Sequence, residues 1–500
     1  MPADAPPMHP LPLHLLPAAV VPWRRRLWPA PEPLPAAPPV LLLAAGIGVL
    51  AALTVRPHTV GLALPVVAVA ALAVALGTRS RPLMWADVVA TAAACCLFAT
   101  GAVRGASWLA FLCLLAGCAV AAVGLVGART WTGIVVGCVA AALAPAWAGR
   151  WAEPALRELH PERLPLRRVG LVAGASTVLL LVFGGLFAAA DPAYRSLLGR
   201  AAPDLPVTEA VGRLITLVVV TALVVVAAWL AQVPPAVDAL APAAGRPVRR
   251  WEWVLPLAAL DVLFLSFVLV QLAVLFGGRR HVLETEGLSY AEYARHGFWQ
   301  LLVVTALTLV VVALAVRAAP RTSYVDRLAV RLLLGVLCTT ALVIVASALQ
   351  RMSLYQQEYG FTRLRLLVDA VELALGAVFV LLLAAGVRLS GSWLPRASVA
   401  VAGSALLALA ALNPDAWIAE HNVARYAATG RLDVAYLSTL SADAVPALTA
   451  LPAPLRDCAL ARVAAELARV EDPWYDVNLG RHRARVALAD LPLRPCRVSR

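Results

Sequence analysis

"DVLFLSFVLVQLAVLFGG", Asp261 to Gly278, falls in an apolar run that covers about 254–277. A helix needs about 20 predominantly apolar residues to cross a hydrocarbon core of roughly 30 Å, and this run has that length. Similar runs occupy about 37–55, 59–77, 84–103, 107–127, 131–149, 169–190, 211–232, 297–317, 328–349, 364–388 and 396–412. Composition agrees: hydrophobic residues make up 61% of the 500, charged residues only 14%, and mean hydropathy is +0.81. A soluble domain carries about a quarter charged residues and roughly half apolar ones. The expected fold is therefore all-α, a polytopic transmembrane bundle of about twelve spans, in contact with the lipid bilayer.

Residues 1–36 are proline-rich and aperiodic, and Arg24, Arg25 and Arg26 follow the apolar stretch instead of preceding it, the reverse of a signal peptide. They read as a disordered tail. The division expected beyond it is a group of about five spans over 37–149 with very short connections, an amphipathic linker at 150–168, and a group of about seven spans over 169–412. Residues 413–500 then form a small soluble helical domain.

The net charge of +13 comes entirely from arginine, since the chain has no lysine; with abundant Ala, Leu, Val, Pro and Gly this suggests a GC-rich bacterial genome. The arginines sit in loops, not on a basic stripe interleaved with aromatics, which argues against nucleic-acid binding. Loops 150–168, 233–253, 317–331 and 388–396 hold about fourteen arginines, and the alternate set 191–213, 278–296 and 351–365 about nine. Positive charge collects on the cytoplasmic side, so the C-terminal domain is expected outside the cell and the protein in the bacterial plasma membrane. Twelve spans would put the arginine-bearing N-terminal tail outside as well. The two inferences conflict unless one N-terminal run is not a full span or the tail is an exception.

The polar segment opens with "NPDAWIAEHNVARY", Asn413 to Tyr426. Asn413 is expected as an N-cap, Pro414 as the first helical residue and Asp415 as a first-turn acid. Ala416, Ala419, Val423, Tyr426 and Ala427 make the expected apolar face, Trp417 an interface anchor and Gly430 the stop. Asp433 and Ser441 are expected to cap later helices. Cys458 and Cys496 lie in this segment and can form a disulfide if it faces an oxidising compartment.

Ionisable groups inside a bilayer are costly and suggest function. Asp261 and Gln271, nearly three turns apart on one face, join Asp369 and Glu372, an i, i+3 pair, as a candidate intramembrane polar site. The structural alternative pairs Asp369 and Glu372 with Arg363, Arg365 or Arg351, and leaves Asp261 and Gln271 to interhelical hydrogen bonds. Asp87 reads as interfacial. Glu292, Arg295, Arg351, Tyr355 and Glu358 could compose a site on the outer face, although interface anchoring explains much of those segments. His421, beside Glu420, reads as a surface residue. No metal-ligand spacing, nucleotide loop or nucleophile motif stands out, so no metal or cofactor is expected.

"FLSFVLVQLAVLFGG", "YAEYARHGFWQLL", "YGFTRLR", "NPDAWIAEHNVARY" and "DVNLGRHRARVAL" resemble the bacterial membrane family called domain of unknown function 4173, closely related to 4153. The resemblance runs from about Leu171 to the C-terminus and implies a multi-pass inner-membrane protein; it carries no catalytic residues with it. Three functions follow as expectations: a non-enzymatic envelope protein that senses or binds an envelope protein or small molecule, a secondary transporter or ion pathway using the intramembrane carboxylates, and a transferase acting on envelope lipids or glycans with Glu292 as base.

Overall fold

The computed structural model describes residues 35–56, 59–159, 190–201, 207–240, 248–276, 290–320, 323–469 and 472–496, with isolated positions between them. The tail 1–36 thus lies almost wholly outside the described residues, as does most of the run 169–190. The described residues contain helices and no strands. The helices are α1 (Pro38–Thr54), α2 (Ala63–Gly77), α3 (Trp85–Val103), α4 (Ser107–Val126), α5 (Trp131–Leu143), α6 (Pro145–Leu159), α7 (Pro192–Ala201), α8 (Val207–Gln232) and α9 (Arg250–Phe276). They continue with α10 (Tyr290–Ala318), α11 (Tyr324–Tyr359), α12 (Arg363–Arg388), α13 (Leu394–Leu412), α14 (Pro414–Thr429), α15 (Val434–Leu437), α16 (Val445–Leu448), α17 (Ala453–Arg469) and α18 (Leu479–Leu488).

Eight of these are long and apolar enough to cross a membrane: α3, α4 and α8 to α13. Their outward faces are apolar as well as their packed ones. On α9 the buried positions Trp253, Leu257, Asp261, Phe264 and Val268 include a carboxylate, while Leu255, Val262, Leu263, Leu269 and Val270 are exposed. In water so much exposed apolar surface would be a liability; against lipid tails it costs nothing.

The difference from about twelve spans has identifiable causes. Helices α1 and α2 are apolar but have only 17 and 15 residues. The run 131–149 is not one helix: α5 ends at Leu143, Ala144 intervenes, and Pro145 opens α6. Proline has no N–H to give and clashes with the preceding turn, so the break falls where the sequence puts that ring. The expected linker 150–168 begins inside α6, whose described part continues to Leu159.

Contacts show which helix ends lie together. Thr78 Oγ1 donates to the Ala228 carbonyl, Asp238 accepts from Thr130, Arg396 donates to the carbonyls of Gly127 and Ala128, and Trp28 Nε1 donates to the Val233 carbonyl. Ala36 N also donates to the Trp151 carbonyl. Both the start of α5 and residues 147 and 151 of α6 therefore belong to this end, so the chain from 131 to 151 returns to where it began. The tail residue Trp28 lies there too, with its ring 5.4 Å from Trp147 and 5.2 Å from Trp229.

Two sets of helices are packed side by side. In the first, α1 lies along α8 and α2, and α3 pairs with α4 beneath α13. Helix α8, which linear order assigns to the second group, thus packs with the first. Gly48 makes the α1–α8 crossing: a Cβ there would sit 2.9 Å from the Leu217 carbonyl oxygen and closer still to Thr221 Oγ1. Small residues at such crossings let backbones approach. Gly48→Val is expected to cost about 1–3 kcal/mol from overpacking, read as earlier thermal unfolding of the purified protein. In the second set α11 is central, flanked by α9, α10 and α12.

The C-terminal helices are not a detached unit. Ile418, Ala419, Leu437, Val445, Leu448, Leu460, Val463 and Ala484 belong to one hydrophobic cluster with Leu97, Phe98, Leu109 and Cys113 of α3 and α4.

Candidate functional site

Two polar regions stand out, one within the second helix set and one where the C-terminal helices meet the ends of the spans. Within the helices, α9 and α11 run parallel: Arg250 meets Asp326 at 2.7 Å, and Gln271 accepts from Arg351 at 3.2 Å and Ser347 at 3.4 Å. This register sets Asp261 level with Leu337. Helix α12 runs antiparallel to α11, with Gln356 Nε2 donating to Asp369 at 2.5 Å and Gly376 against Val345. Glu372 is then level with residues near 350. About twelve residues of α11, roughly 18 Å at 1.5 Å each, separate the Asp261 and Glu372 levels.

The four candidate intramembrane residues therefore do not form one site. Gln271, Asp369 and Glu372 share a level near the Arg363 end, and Asp261 lies deeper. Glu372 is 0% exposed and Asp261 5%, and among the described residues neither oxygen of either carboxylate has a hydrogen-bond partner. The arginines proposed as partners are engaged elsewhere: Arg363 with Asp415, Arg351 with Gln271, and Arg365 with the Gly360 carbonyl and the Tyr355 ring. Asp87 lies in the first turn of α3, at the span's end, where its side chain is buried and pairs with Arg79 at 2.5 Å. An apolar cavity of about 300 Å³ lies among α10, α11 and α12, lined by Val312, Leu334, Cys338, Leu382 and Leu389, and includes neither Asp261 nor Glu372.

The outer-face constellation is also divided. Glu292 and Arg295 fall on α10, but their side chains lie outside the described residues. Arg351, Tyr355 and Glu358 share a face of α11 at successive levels, and a different element engages each: Gln271 of α9, Arg365 of α12, and Arg431 after α14 at 2.7 Å. Sequence spacing gives the common face; it cannot give the three partners.

At the second region the side chains converge. Asp415 is 0% exposed and accepts from Arg363 Nε at 2.8 Å, Arg363 Nη2 at 2.5 Å and Ser441 N at 2.8 Å. Burial opposes its charge, but the Arg363 hydrogen bonds outweigh it and hold the carboxyl below the usual range. Asn422 donates to the Phe361 carbonyl at 2.9 Å and accepts from Phe361 N at 3.1 Å, beside Gly360 at φ 82°. Asp443 Oδ2 accepts from Gly105 N at 2.8 Å and Ala106 N at 3.1 Å in the α3–α4 turn. Asn478 donates to the carbonyls of Val60, Gly101 and Arg104, at 3.1, 2.9 and 2.9 Å. Asp415, Asn422 and Asn478 fall in motifs that carry the family resemblance and Asp443 does not; these partners of Asp443 and Asn478 lie 337 to 418 residues away, beyond what sequence spacing can pair.

Asn413 departs from the expected cap. It has φ 58°, and its side chain makes no capping bond; Oδ1 is buried without a partner. It is the left-handed junction closing α13 immediately before Pro414, a conformation asparagine tolerates, and proline disfavours the α region for the residue preceding it. The buried face of α14 is Pro414, Asp415, Ile418, Ala419 and Asn422, more polar than the expected stripe. Trp417 stacks on His421 at 3.8 Å and meets Phe361 edge-on at 4.8 Å. Asp433 caps α15 through Tyr436 N, Gly430 ends α14, and Ser441 makes no side-chain cap. Cys458 and Cys496 are joined as a disulfide. Among the described residues no group of three or more His, Cys, Asp or Glu could hold a metal ion.

A family model described as Domain of unknown function (DUF4153) matches residues 91–451, more than half of the chain. The chain belongs to the DUF4153 family. This is the related family of the sequence resemblance; the 4173 family itself is not matched. The DUF4153 segment begins within α3, well before Leu171, and ends before α17 and α18. It includes both carboxylate levels and most of the polar junction, but not Asn478. Neither curated proteins nor solved structures return a match.

Proposed function

We propose that this DUF4153 protein is a non-enzymatic multi-pass protein of the bacterial plasma membrane whose C-terminal helices form an extracytoplasmic surface for an envelope protein or small molecule. The observation that carries the reading is the polar junction from Asp415, Asn422, Asp443 and Asn478 to three separate turns between helices. A surface fixed to the helix ends in this way cannot move without them, which is what a sensing element requires.

The crossing number consistent with this reading is eleven: α1 to α4, the run 169–190 that its sequence leads one to expect as a span, and α8 to α13. Since the chain from 131 to 151 returns to its starting end, the count is odd. The arginine-bearing tail then lies inside and the C-terminal helices outside, and the conflict between arginine count and parity disappears.

The test is labelling by a membrane-impermeant maleimide in intact cells, in a background where the six unpaired cysteines are alanine. Arg462→Cys on exposed α17 is expected to label from outside; Asn422 is a poor choice because it is buried. Labelling of Arg462→Cys only after the inner face is opened would sink the topology. A second check uses the disulfide, which persists in oxidising compartments: thiol blocking of whole cells should leave Cys458 and Cys496 unmodified until reductant is added.

A second reading, a secondary transporter or ion pathway, is favoured specifically by the unpartnered buried oxygens of Glu372 and Asp261. Proton- or solute-coupled flux unchanged on neutralising Asp261, Asp369 and Glu372 together would remove it.

A further inference from the structure

We propose that Asp369 and Glu372 form a proton-binding site on α12, with Glu372 as the buried acceptor, Asp369 as its entrance and Gln356 of α11 as the group that positions the entrance. The site gives the second functional reading a ligand, and it rests on that reading only for what the proton would drive.

The geometry is asymmetric. Glu372 lies on the packed seam of α12 with Val368, Gly376 and Phe379, and α11 closes over Gly376 through Val345 and Leu342. Among the described residues no hydrogen-bond donor reaches either of its oxygens. Asp369 is one turn nearer the Arg363 end and half-buried, and it accepts from the buried Gln356 amide at 2.5 Å. Along α12, Asp369 therefore stands between the polar junction and Glu372.

The surrounding charges are committed to other partners. On α12, Arg363 holds Asp415 and Arg365 covers Tyr355; on α11, Arg351 donates to Gln271 and Glu358 pairs with Arg431. From α9 the nearest acid, Asp261, is the deeper carboxylate. On the described side chains of α10 the charged group is Arg317, at the far end, and on α13 it is Arg396, which bonds Gly127 and Ala128. On α14, Glu420 and His421 lie beyond Asp415, and His421 Nδ1 contacts the Trp417 carbonyl. Among the described residues no hydrogen-bonded counter-charge reaches Glu372, so its ionised form would lie uncompensated in an apolar surrounding. Adding a proton removes that charge and supplies an O–H donor. Two carboxylates one turn apart on one helix also repel one another when both are charged. A metal ion would need more ligands than the described residues gather here.

The experiment uses the full chain in detergent and in proteoliposomes, treated with dicyclohexylcarbodiimide, which adds to protonated carboxyls in apolar surroundings. The adduct is mapped by mass spectrometry. Glu372 should be modified at neutral pH, with modification falling as pH rises, and Glu372→Gln should lose it. Asp369→Asn should move the midpoint down by roughly one pH unit, because the neighbouring negative charge that favours the proton is gone. The loss of a protonated-carboxyl infrared band in Glu372→Gln is the independent check. Absence of modification at every pH in protein that still unfolds cooperatively, or an unchanged midpoint in Asp369→Asn, would overturn the proposal. So would protection by sodium at fixed pH, which would make the site a sodium site. Modification without any proton flux in proteoliposomes would uphold the binding site while removing the transport reading.

Discussion

Asp415→Ala is expected to cost about 3–5 kcal/mol, the range for breaking a buried ion pair from one side. The carboxylate is fully buried and receives two bonds from Arg363, one from Ser441 N and a longer one of 3.4 Å from Trp108 Nε1. Its removal leaves the guanidinium facing a void and frees the turn before α16. The readouts are thermal unfolding of the purified protein and trypsin cleavage near Arg425 and Arg431, which should become accessible as α14 lifts from α12. Arg363→Ala should be comparably damaging, because it strands the carboxylate instead. The double variant Arg363→Leu with Asp415→Leu should be milder than either single one, since removing both charges also removes their desolvation. Single variants that melt like the parent would show that the pair does not hold the C-terminal helices.

The second large effect is a pH dependence carried by Asp443. Burial pushes its carboxyl up to about 6 against the Gly105 and Ala106 N–H bonds, and the charge of Asp415 adds to the rise. The folded protein then binds this proton more tightly than the unfolded chain does. Its stabilisation is full below the ordinary aspartate range near 4 and is lost as pH rises towards 6; two units correspond to about 3 kcal/mol. Asp415 acts in the opposite sense, with stability lost as pH falls below the ordinary aspartate range. Docking of the C-terminal helices should therefore be strongest in mild acid, near pH 4–5. All three of the Asp443 side chain's hydrogen bonds use one oxygen, Oδ2, so asparagine can keep them. Asp443→Asn should match the parent near pH 4 and exceed it by about 2–3 kcal/mol at neutral pH. A parent melting temperature that does not fall between pH 4 and pH 7 would refute this assignment.

Sequence alone carries the lipid-facing character of the helices, because run length and composition answer directly to bilayer thickness. It also singles out Asp261, Asp369 and Glu372, since a carboxylate amid leucine and valine is visible without coordinates. Levels are a different matter. That Glu372 is level with residues near 350 and Asp261 with Leu337 depends on the relative register of α9, α11 and α12, which only side-chain contacts between helices fix. The break at Pro145 was legible in principle, but a hydropathy window averages across the proline and returns one span. Asn413 shows the same limit at smaller scale. Asn-Pro-Asp is the composition of a helix start, yet the preceding helix runs into it without a gap, and the asparagine closes one helix instead of capping the next.

Helix α11 has 36 residues and is about 54 Å long at 1.5 Å per residue, against a hydrocarbon thickness of roughly 30 Å. Tilts of up to about 40° cannot hide the excess, so the rod must project from the bilayer. Its Tyr359 end meets the C-terminal helices through the Glu358–Arg431 ion pair and, one residue beyond, the Gly360 turn against Asn422. A change in bilayer thickness or lateral pressure that alters the rod's inclination would swing that end as a lever arm. The C-terminal helices, pinned there and at the α3–α4 turn, would register it as a shear between two anchor points.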